Sequence, residues 1–452
     1  MKITPWLSLI ILLLFPFCTL AELPLTRGEV RDARTGQPLA GVEIHRDGAQ
    51  ILSDDDGHFA LRAGTGDLIL RAPGYRALKV TELTSPVLEL EPFIPKALYL
   101  SFWGADSRDL RARLLRQLRD NDLNALVIDI KSVRGHIAYR SDIPLAREIG
   151  AQRVRPLKDL PALLAVLKAQ GIYTIARIAV FKDDLLSKGH PEFAVLTRAG
   201  EIWRDRQQLG WTDPFSSKVW DYNIAVAEEA ARLGFDEVQF DYIRFPDRSD
   251  LIFSRAADDA SRIAAINGFL DRARQRLAAY PVYLSANIFG YICWHPWDGK
   301  IGQRLSDMAA RVDYLSPMLY PSGFQFGIPG HADPVAHPYA VVARSLQQAQ
   351  QLAGLPAVRL RPWLQAFRDY AFDHRDFAGE EIHAQINASD ANGSHGWMLW
   401  HPASRYLQAG LRQQLPPEDR KLVDVSPKPA APEVLTRTAE TPAKRQSDNL
   451  NL

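Results

Sequence analysis

The pattern of hydrophobic and polar positions predicts alternating strands and helices over most of the chain. The predicted strands are short runs rich in β-branched and aromatic residues at 97–103, 125–130, 173–180, 237–242, 282–288, 314–318, 360–367 and 396–400. Helical spacing of apolar positions predicts helices that include 108–119, 160–170, 219–233, 258–279, 340–353 and 380–391. Eight strands with intervening helices predict a (β/α)8 TIM-like barrel. A doubly wound open sheet is the alternative. The sequence has no glycine-rich dinucleotide or phosphate loop where that fold would place one.

The N-terminal part follows a different pattern. Residues 25–90 contain short strands separated by turn signals such as Asp47-Gly48, Asp56-Gly57 and Pro73-Gly74, with no room for a long helix. This predicts a small all-β sandwich over 22–94, followed by the barrel over 95–414. Residues 415–452 are rich in Pro, Ala and charged residues, which predicts a disordered tail.

The fourth predicted barrel strand carries an unexpected polar face. After a helix that Gly234 is suited to end, Glu237, Gln239 and Asp241 alternate with apolar residues. Strands of a parallel sheet are normally apolar on both faces, so these polar side chains need a reason. A functional site at the carboxyl end of the strand is one reason. An edge strand with one hydrated face is the alternative.

The same alternation in all eight strands predicts a set of polar side chains facing the barrel interior. Carboxylates supply acid/base or nucleophilic chemistry, and aromatic rings stack on sugars, so the set suits a polysaccharide or oligosaccharide substrate. Loop tryptophans Trp203, Trp211 and Trp220 add to this, with core packing as their alternative. The inward set is Asp129, Lys131, Arg177, Gln239, Asp241, Asn287, Ser316, Tyr320, Gln365 and Trp400.

Asp241 is the principal catalytic candidate because it ends its strand. Arg244 follows closely, and a nearby cation would keep the carboxylate ionised. A glycosidase also needs a second carboxyl group, for which Asp129 at the end of strand two is preferred. Asp129 and Lys131 could equally form a structural ion pair. The other candidates for the second carboxyl group are Glu237, Asp247 and Asp213, and Trp211, Asp213 and Arg244 are expected to contact substrate.

Composition narrows the possible partners. The 54 Lys and Arg residues balance 53 Asp and Glu residues, giving a net charge of +1, so no basic surplus points to nucleic acid. The 11 histidines show no zinc-protease spacing, and we expect neither a metal nor a cofactor.

The N-terminus predicts export. Lys2 precedes an apolar run over 6–17 and small residues up to Ala21, as in a signal peptide of residues 1–21. We therefore expect a periplasmic or secreted protein with no membrane span after cleavage; a lipoprotein modified at Cys18 and an uncleaved anchor are the alternatives. Cleavage would leave Cys293 as the only cysteine, which excludes an intramolecular disulfide.

Several motifs carry a family resemblance. The chain resembles a bacterial family of glycosyl hydrolase domains over about residues 95–411, in the segments 211–223, 234–246, 316–321 and 396–400. The resemblance implies a TIM-barrel domain of the glycoside hydrolase type. Residues 28–75 resemble a carboxypeptidase-regulatory-like, transthyretin-like sandwich, usually an accessory module. The layout is also distantly similar to chitinases, but Ile243 stands where their catalytic Glu would be.

Two functional hypotheses follow. The first is a glycoside hydrolase that cleaves an envelope or extracellular polysaccharide, with Asp241 essential. The second is a non-catalytic glycan-binding or envelope scaffold protein, which the absence of an obvious second acid favours. A transglycosylase or a lyase on the same barrel is not separated from a hydrolase by sequence.

Overall fold

The structure is a computed structural model that describes residues 25–121 and 123–411. The predicted signal peptide, Cys18 and the predicted tail lie outside the described residues. None of the helices in residues 25–121 and 123–411 has the length and hydropathy of a membrane span. Cys293 is buried and is a free thiol.

Eight parallel strands close into a barrel, which confirms the predicted (β/α)8 architecture. Each strand pairs with the next along the chain, and the last pairs with the first. The barrel strands are β8 (Lys96–Leu100), β9 (Ala125–Lys131), β10 (Tyr173–Ala179), β11 (Glu237–Asp241), β12 (Tyr283–Phe289), β13 (Tyr314–Met318), β14 (Trp363–Gln365) and β15 (Trp397–Trp400).

Helices follow the strands and cover the outside of the barrel. They are α1 (Arg108–Asp120), α2 (Pro144–Glu148), α3 (Leu160–Ala169), α4 (Asp184–Gly189), α5 (Ser217–Leu233), α6 (Asp259–Leu277), α7 (Leu305–Ala309), α8 (Pro338–Ala353), α9 (Gly379–Ala391) and α10 (Gln408–Leu411). Helix α5 ends at Gly234, whose φ of 95° lets its N–H reach the carbonyls of the last turn. This cap turns the chain directly into β11.

The N-terminal residues form two small sheets. Their strands are β1 (Leu25–Asp32), β2 (Glu43–Arg46), β3 (Ala49–Leu52), β4 (His58–Arg62), β5 (Leu68–Arg71), β6 (Leu78–Val80) and β7 (Val87–Leu90). One sheet has the order β4-β1-β7 and the other β3-β2-β5-β6. Val30 and Phe59 of the first sheet share a buried cluster with Ile44 and Leu70 of the second. The two sheets therefore enclose one apolar core, as in a sandwich.

Large aromatic side chains fill much of the barrel interior. Tyr99, Tyr173, Tyr283, Tyr314 and Trp363 belong to one buried cluster inside the barrel. The aliphatic residues of the strands' other faces pack against the helices in a separate, larger cluster. The inside of this barrel is therefore packed rather than hollow, and space for a ligand remains at its carboxyl end.

The two-sheet unit is seated on the amino-terminal end of the barrel. The Tyr283 hydroxyl donates to Ala72 O (2.9 Å), and Gly74 N donates to the Tyr314 hydroxyl (3.1 Å). Arg71 donates to Val282 O (3.0 Å) and is paired with the buried Glu43. Tyr283 and Tyr314 begin β12 and β13, so the seat lies at the end of the barrel opposite the strand carboxyl ends.

A charged network is buried inside the barrel near that same end. Arg361 Nη1 lies 2.7 Å from Glu237 Oε2, and both side chains are fully buried. The hydroxyls of Tyr173 (3.0 Å) and Ser285 (2.5 Å) also donate to the Glu237 carboxylate. Glu237 is therefore a structural carboxylate, and this removes it from the candidates for the second catalytic carboxyl group.

Replacing Glu237 by Gln should destabilise the protein strongly. The variant leaves the guanidinium of Arg361 buried without its counter-charge, which should cost about 3–5 kcal/mol. Chemical denaturation followed by tryptophan fluorescence measures the loss. The matched control is Glu91→Gln, which removes the pair between the exposed Glu91 and the partly buried Arg76 and should cost at most about 1 kcal/mol. Equal effects of the two substitutions would contradict the structural role.

Candidate active site

A cavity of about 610 Å³ opens at the carboxyl ends of the barrel strands. Its floor is formed by the ends of several strands, and loop residues form its rim. Among the lining residues are Tyr99, Asp129, Arg177, Asp241, Asn287, Met318, Trp363 and Trp400 from strands, and Trp103, Arg134, Gln207, Tyr242, Tyr320, Arg368 and Tyr370 from beyond the strand ends. This is the end of the barrel where enzymes of this fold place their sites.

One arginine connects the two carboxylates in the cavity. Arg177 Nη1 donates to Asp129 Oδ1 (2.7 Å). Its Nε donates to Asp241 Oδ2 (2.9 Å), and its Nη2 lies 2.7 Å from the same oxygen. The two carboxylates thus use different edges of one buried guanidinium. This geometry follows from register, because Asp129 and Arg177 are paired positions of β9 and β10.

The local environment distinguishes Asp129. Burial raises the pKa of the Asp129 carboxyl, against the opposing effects of the Arg177 charge and of hydrogen bonds from Arg177 and Tyr99. The Tyr99 hydroxyl donates to Asp129 Oδ2 at 3.1 Å. A carboxyl group with a raised pKa keeps its proton to a higher pH than usual, as a general acid requires.

Asp241 is oriented by the chain immediately after its strand. Tyr242 N donates to Asp241 Oδ1 at 2.6 Å, so both oxygens of the carboxylate have partners. Tyr242 has φ of 50°, a left-handed conformation that is uncommon for a residue with a side chain. This turn brings the Tyr242 ring to the cavity wall, although strict alternation would place it on the opposite face from Asp241.

Aromatic rings form one wall of the cavity beside the carboxylates. Trp400 stacks on Tyr99 with ring centroids 4.1 Å apart, and the Arg177 guanidinium lies 5.1 Å from the Trp400 ring. Trp363 meets Trp400 edge to face and donates through Nε1 to Asn287 Oδ1 (2.9 Å). Rings locked in this way offer flat apolar surface next to acid groups, which suits sugar rings.

Six of the residues expected from the sequence come together in this cavity. They are Asp129, Arg177, Asp241, Asn287, Tyr320 and Trp400. The strand residues Tyr99, Trp363 and Met318 also line the cavity, although they are absent from the predicted inward set. Strand alternation could have indicated their inward positions, but the predicted set was chosen mainly for polar side chains. The rim residues Trp103, Arg134, Gln207, Arg368 and Tyr370 come from loops and carry no periodic signal.

Lys131 lies outside the cavity. It is fully buried, with Nζ 2.8 Å from Asp183 Oδ2 and 5.6 Å from the centroid of the Tyr222 ring on α5. The pairing of β9 with β10 shifts register between Asp129 and Lys131, and such a bulge interrupts side-chain alternation. Lys131 therefore serves neither as a substrate contact nor as the partner of Asp129.

Two expected amide residues hold the scaffold instead of facing the cavity. Gln239 is fully buried one layer below Asp241, where it donates to Ser316 Oγ (3.3 Å). Gln365 donates to Ser322 Oγ (2.7 Å) and accepts from Ser322 N (3.0 Å). Gln365 thereby fixes the start of the loop after β13, so its expected role as a substrate contact becomes a positioning role.

Trp211 and Asp213 are also buried away from the cavity. Trp211 is fully buried and donates through Nε1 to Asp205 Oδ2 (3.1 Å). Asp213 accepts from Phe215 N and from Ser254 N, which joins two loops. Neither side chain can touch a ligand in this conformation. Asp205 also pairs with Lys182 at 2.6 Å, and Lys182 in turn donates to the rim residue Gln207.

Arg244 does not supply the cation for Asp241, because Arg177 does. Its guanidinium makes no salt bridge within the described part of the chain, and it lines a neighbouring cavity together with Asp247. In residues 25–121 and 123–411, no group of three or more His, Cys, Asp or Glu side chains is placed to hold a metal ion.

A family model and several solved structures match this chain. A family model described as "Putative glycosyl hydrolase domain" matches residues 97–406. A hypothetical protein of known structure from Ruminiclostridium thermocellum ATCC 27405 is 39% identical; the match covers 42% of this chain and 96% of that chain, with a TM-score of 0.38. No curated protein matches the sequence.

Two further solved structures are similar. The glycoside hydrolase domain of PgaB (BpsB) from Bordetella bronchiseptica is 15% identical over 72% of this chain and 100% of that chain, with a TM-score of 0.47. The β-galactosidase from the psychrophilic Marinomonas ef1 is 12% identical over 70% of this chain and 58% of that chain, with a TM-score of 0.50. The likeness to the β-galactosidase shows a shared fold alone.

Replacing Arg177 by Met should make the stability of the protein depend on pH. Asp129 and Asp241 would then be adjacent buried carboxyl groups without a cation, and at least one pKa should rise above its unfolded value. A group with a raised pKa in the folded state loses stabilising free energy as the pH rises through that pKa. Denaturation at about pH 5 and about pH 8 should therefore show a larger deficit against wild type at the higher pH.

The control for this experiment is Arg255→Met. Arg255 is an exposed arginine that lies over the Phe215 ring, 5.1 Å from its centroid, outside the cavity. This variant should unfold like the wild type at both pH values. A deficit in the Arg177 variant that is the same at both pH values would contradict the role of Arg177 as the counter-charge of the two carboxylates.

Proposed function

Since this chain belongs to the glycosyl hydrolase domain family whose model it matches, we propose that it hydrolyses glycosidic bonds of an envelope or extracellular polysaccharide. The observation that carries the proposal is the pair of carboxylates bridged by Arg177 on the floor of an aromatic-lined cavity. Glycosidases place two carboxyl groups about 5 to 9.5 Å apart. Two carboxylates on one guanidinium are compatible with this spacing.

Asp129 is the proposed general acid. Its raised pKa favours the protonated form, and its carboxyl group lies on the cavity floor, where a leaving sugar oxygen could reach it. Protonation of that oxygen as the glycosidic bond breaks avoids an alkoxide leaving group. The Tyr99 hydroxyl and Arg177 Nη1 would then stabilise the carboxylate that remains after the proton is transferred.

Asp241 is the proposed nucleophile or electrostatic stabiliser. Its charge is balanced by Arg177, and the Tyr242 N–H fixes its second oxygen, so the carboxylate is held in one orientation before substrate arrives. A carboxylate held in this way can stabilise the positive charge that develops on the sugar ring in the transition state. Trp400, Tyr99 and Trp363 provide the flat surfaces against which the sugar would be oriented.

The proposed location follows from the N-terminal segment. Lys2, the apolar run over 6–17 and the small residues before position 22 have the layout of a secretory signal, which supports a substrate in the envelope or outside the cell. The sandwich, seated at the opposite end of the barrel from the cavity, is proposed to be an accessory module.

Replacing Asp241 by Asn should abolish glycan cleavage while the fold is retained. Loss of the carboxylate charge removes the nucleophile or transition-state stabiliser, and we expect turnover to fall by at least about a thousandfold. Release of new reducing ends from a panel of envelope and extracellular polysaccharides measures it. Asp250→Asn, on the loop after the same strand and outside the cavity, is the matched control. Full turnover by the Asp241 variant would refute the assignment.

A protein that binds glycans from this panel but releases no product would indicate the alternative, a non-catalytic binding protein. Transfer of the cleaved sugar to another glycan instead of to water would indicate a transglycosylase. Product analysis identifies the transglycosylase, whereas the binding protein is recognised by the absence of product together with a direct measurement of glycan binding.

Asp129 should control the alkaline side of the pH profile. Because a general acid must be protonated, kcat/KM should fall as the pH rises through the raised pKa of Asp129. The Asp129→Asn variant should lose this limb and about 10²–10⁴-fold in rate on polysaccharide. It should lose much less on a nitrophenyl glycoside, whose leaving group needs no proton. Equal losses on both substrates would contradict the role of general acid.

A further inference from the structure

A second cavity lies beside the first and continues its wall. Its volume is about 320 Å³, and both cavities are lined by Met318, Tyr320 and Tyr370. Aromatic side chains dominate the rest of its lining, and two of them are exposed: Trp297 at 54% and Phe326 at 78%. The other rings on its wall are Phe289, Tyr291, His295 and Phe324. A polysaccharide bound in the first cavity can therefore extend directly over the aromatic surface of the second.

Arg244 lies in the wall of this second cavity and is only 8% exposed. Nη1 donates to Phe245 O (3.2 Å), and the remaining N–H groups of the guanidinium make no hydrogen bond within the described chain. Its Cζ lies 4.9 Å from the centroid of the Trp211 ring and 5.6 Å from that of Tyr242. Most of the donors of a buried cation are thus unused beside an open cavity.

The other buried arginines of the barrel are neutralised differently. Arg177 binds two carboxylates, and Arg361 binds Glu237. Arg244 has no carboxylate within salt-bridge distance in the described residues, and burial lowers its pKa. Cation–π contacts with neighbouring rings offset only part of the free-energy cost of removing a cation from water.

Three carboxylates act on Arg244 from a greater distance. Asp241, Asp247 and Asp205 all favour its charged form through electrostatic attraction. Asp247 lines the same cavity, but it is exposed, so water weakens its effect. An anionic group bound in the cavity would engage the unused donors directly and complete the neutralisation.

We propose that this second cavity is a subsite for a sugar unit that carries an anionic substituent, bound by Arg244 and stacked on the neighbouring rings. This inference rests on the proposed glycoside hydrolase function and names its substrate class, an acidic polysaccharide. A uronate carboxylate matches the planar fork of a guanidinium, and a sulfate or phosphate ester shares the same chemistry. Because the two cavities are continuous, the expected occupant is a second sugar unit of the same polysaccharide and not a separate ligand.

Binding, rather than cleavage, tests the subsite. The full chain is run in native gels that contain polygalacturonate or alginate, and in gels that contain the same polymers after reduction of their carboxyl groups to alcohols. A parallel comparison of gels that contain dextran sulfate with gels that contain dextran tests whether a sulfate ester is the bound anion. We expect the wild type to bind at least one acidic polymer about tenfold more tightly than its neutral counterpart, because a charge-assisted bidentate pair is lost in the latter.

Variants assign the discrimination to Arg244. Arg244→Gln should bind the acidic and neutral polymers equally, and Arg244→Lys should retain part of the preference, because it keeps the charge but loses the fork. Arg255→Gln is the matched control, an exposed arginine that follows the same strand and lies on an aromatic ring, and it should bind like the wild type. Asp247→Asn is a surface change that should not disturb folding, and it should strengthen binding to the acidic polymer.

Two results would overturn the subsite. One is equal retention of the acidic and neutral polymers by the wild type, including no retention of either. The other is a preference for the acidic polymer that is unchanged in the Arg244→Gln variant and is not increased in the Asp247→Asn variant. Because cleavage is not measured, an inactive protein that still shows the Arg244-dependent preference would support the subsite while refuting the hydrolase.

Discussion

A charge that points into a closed barrel must find its counter-charge inside that barrel, and this constraint organises the molecule. At the amino-terminal end, Arg361 neutralises Glu237 where no solvent reaches either group. At the carboxyl end, Arg177 neutralises Asp129 and Asp241 together. The cost of an unpaired buried charge is several kcal/mol, so each of these pairings restricts the set of sequences that can fold in this way. The charges at the carboxyl end differ from those at the amino-terminal end because they face a cavity. Charges that face the cavity can act on a ligand.

Aromatic residues fill the interior of this barrel and also form a wall of its cavity. Below the site, Tyr173, Tyr283 and Tyr314 fill the interior, and hydroxyls of this group bond to Glu237 and to the backbone of the N-terminal sheets. At the site, Tyr99 and Trp400 form a rigid wall beside the carboxylates. The same packing that excludes water from the interior therefore also orients the surface on which a sugar is proposed to lie.

The two small sheets lie at the end of the barrel opposite the cavity. They contact the starts of β12 and β13, whereas Asp129, Arg177 and Asp241 lie at or near the ends of their strands. In barrels of this type the amino-terminal end generally serves stability, and the carboxyl-terminal loops serve function. In this position the two sheets do not obstruct the cavity.

The eight strand–helix units and the inward positions of Asp129, Arg177 and Asp241 could be predicted from the sequence, because the periodicity of apolar and polar residues is a local property. The sequence did not indicate which charges pair. Arg244 is nearest to Asp241 along the chain, yet Arg177 from the neighbouring strand binds it. A bulge after Asp129 turns Lys131 outward to Asp183, which no alternation rule could anticipate. Loop residues such as Tyr370 and Phe326 reach the cavities from unpatterned segments. These contacts are visible only in the three-dimensional structure, because they depend on strand register and loop paths, which bring together residues far apart in the chain.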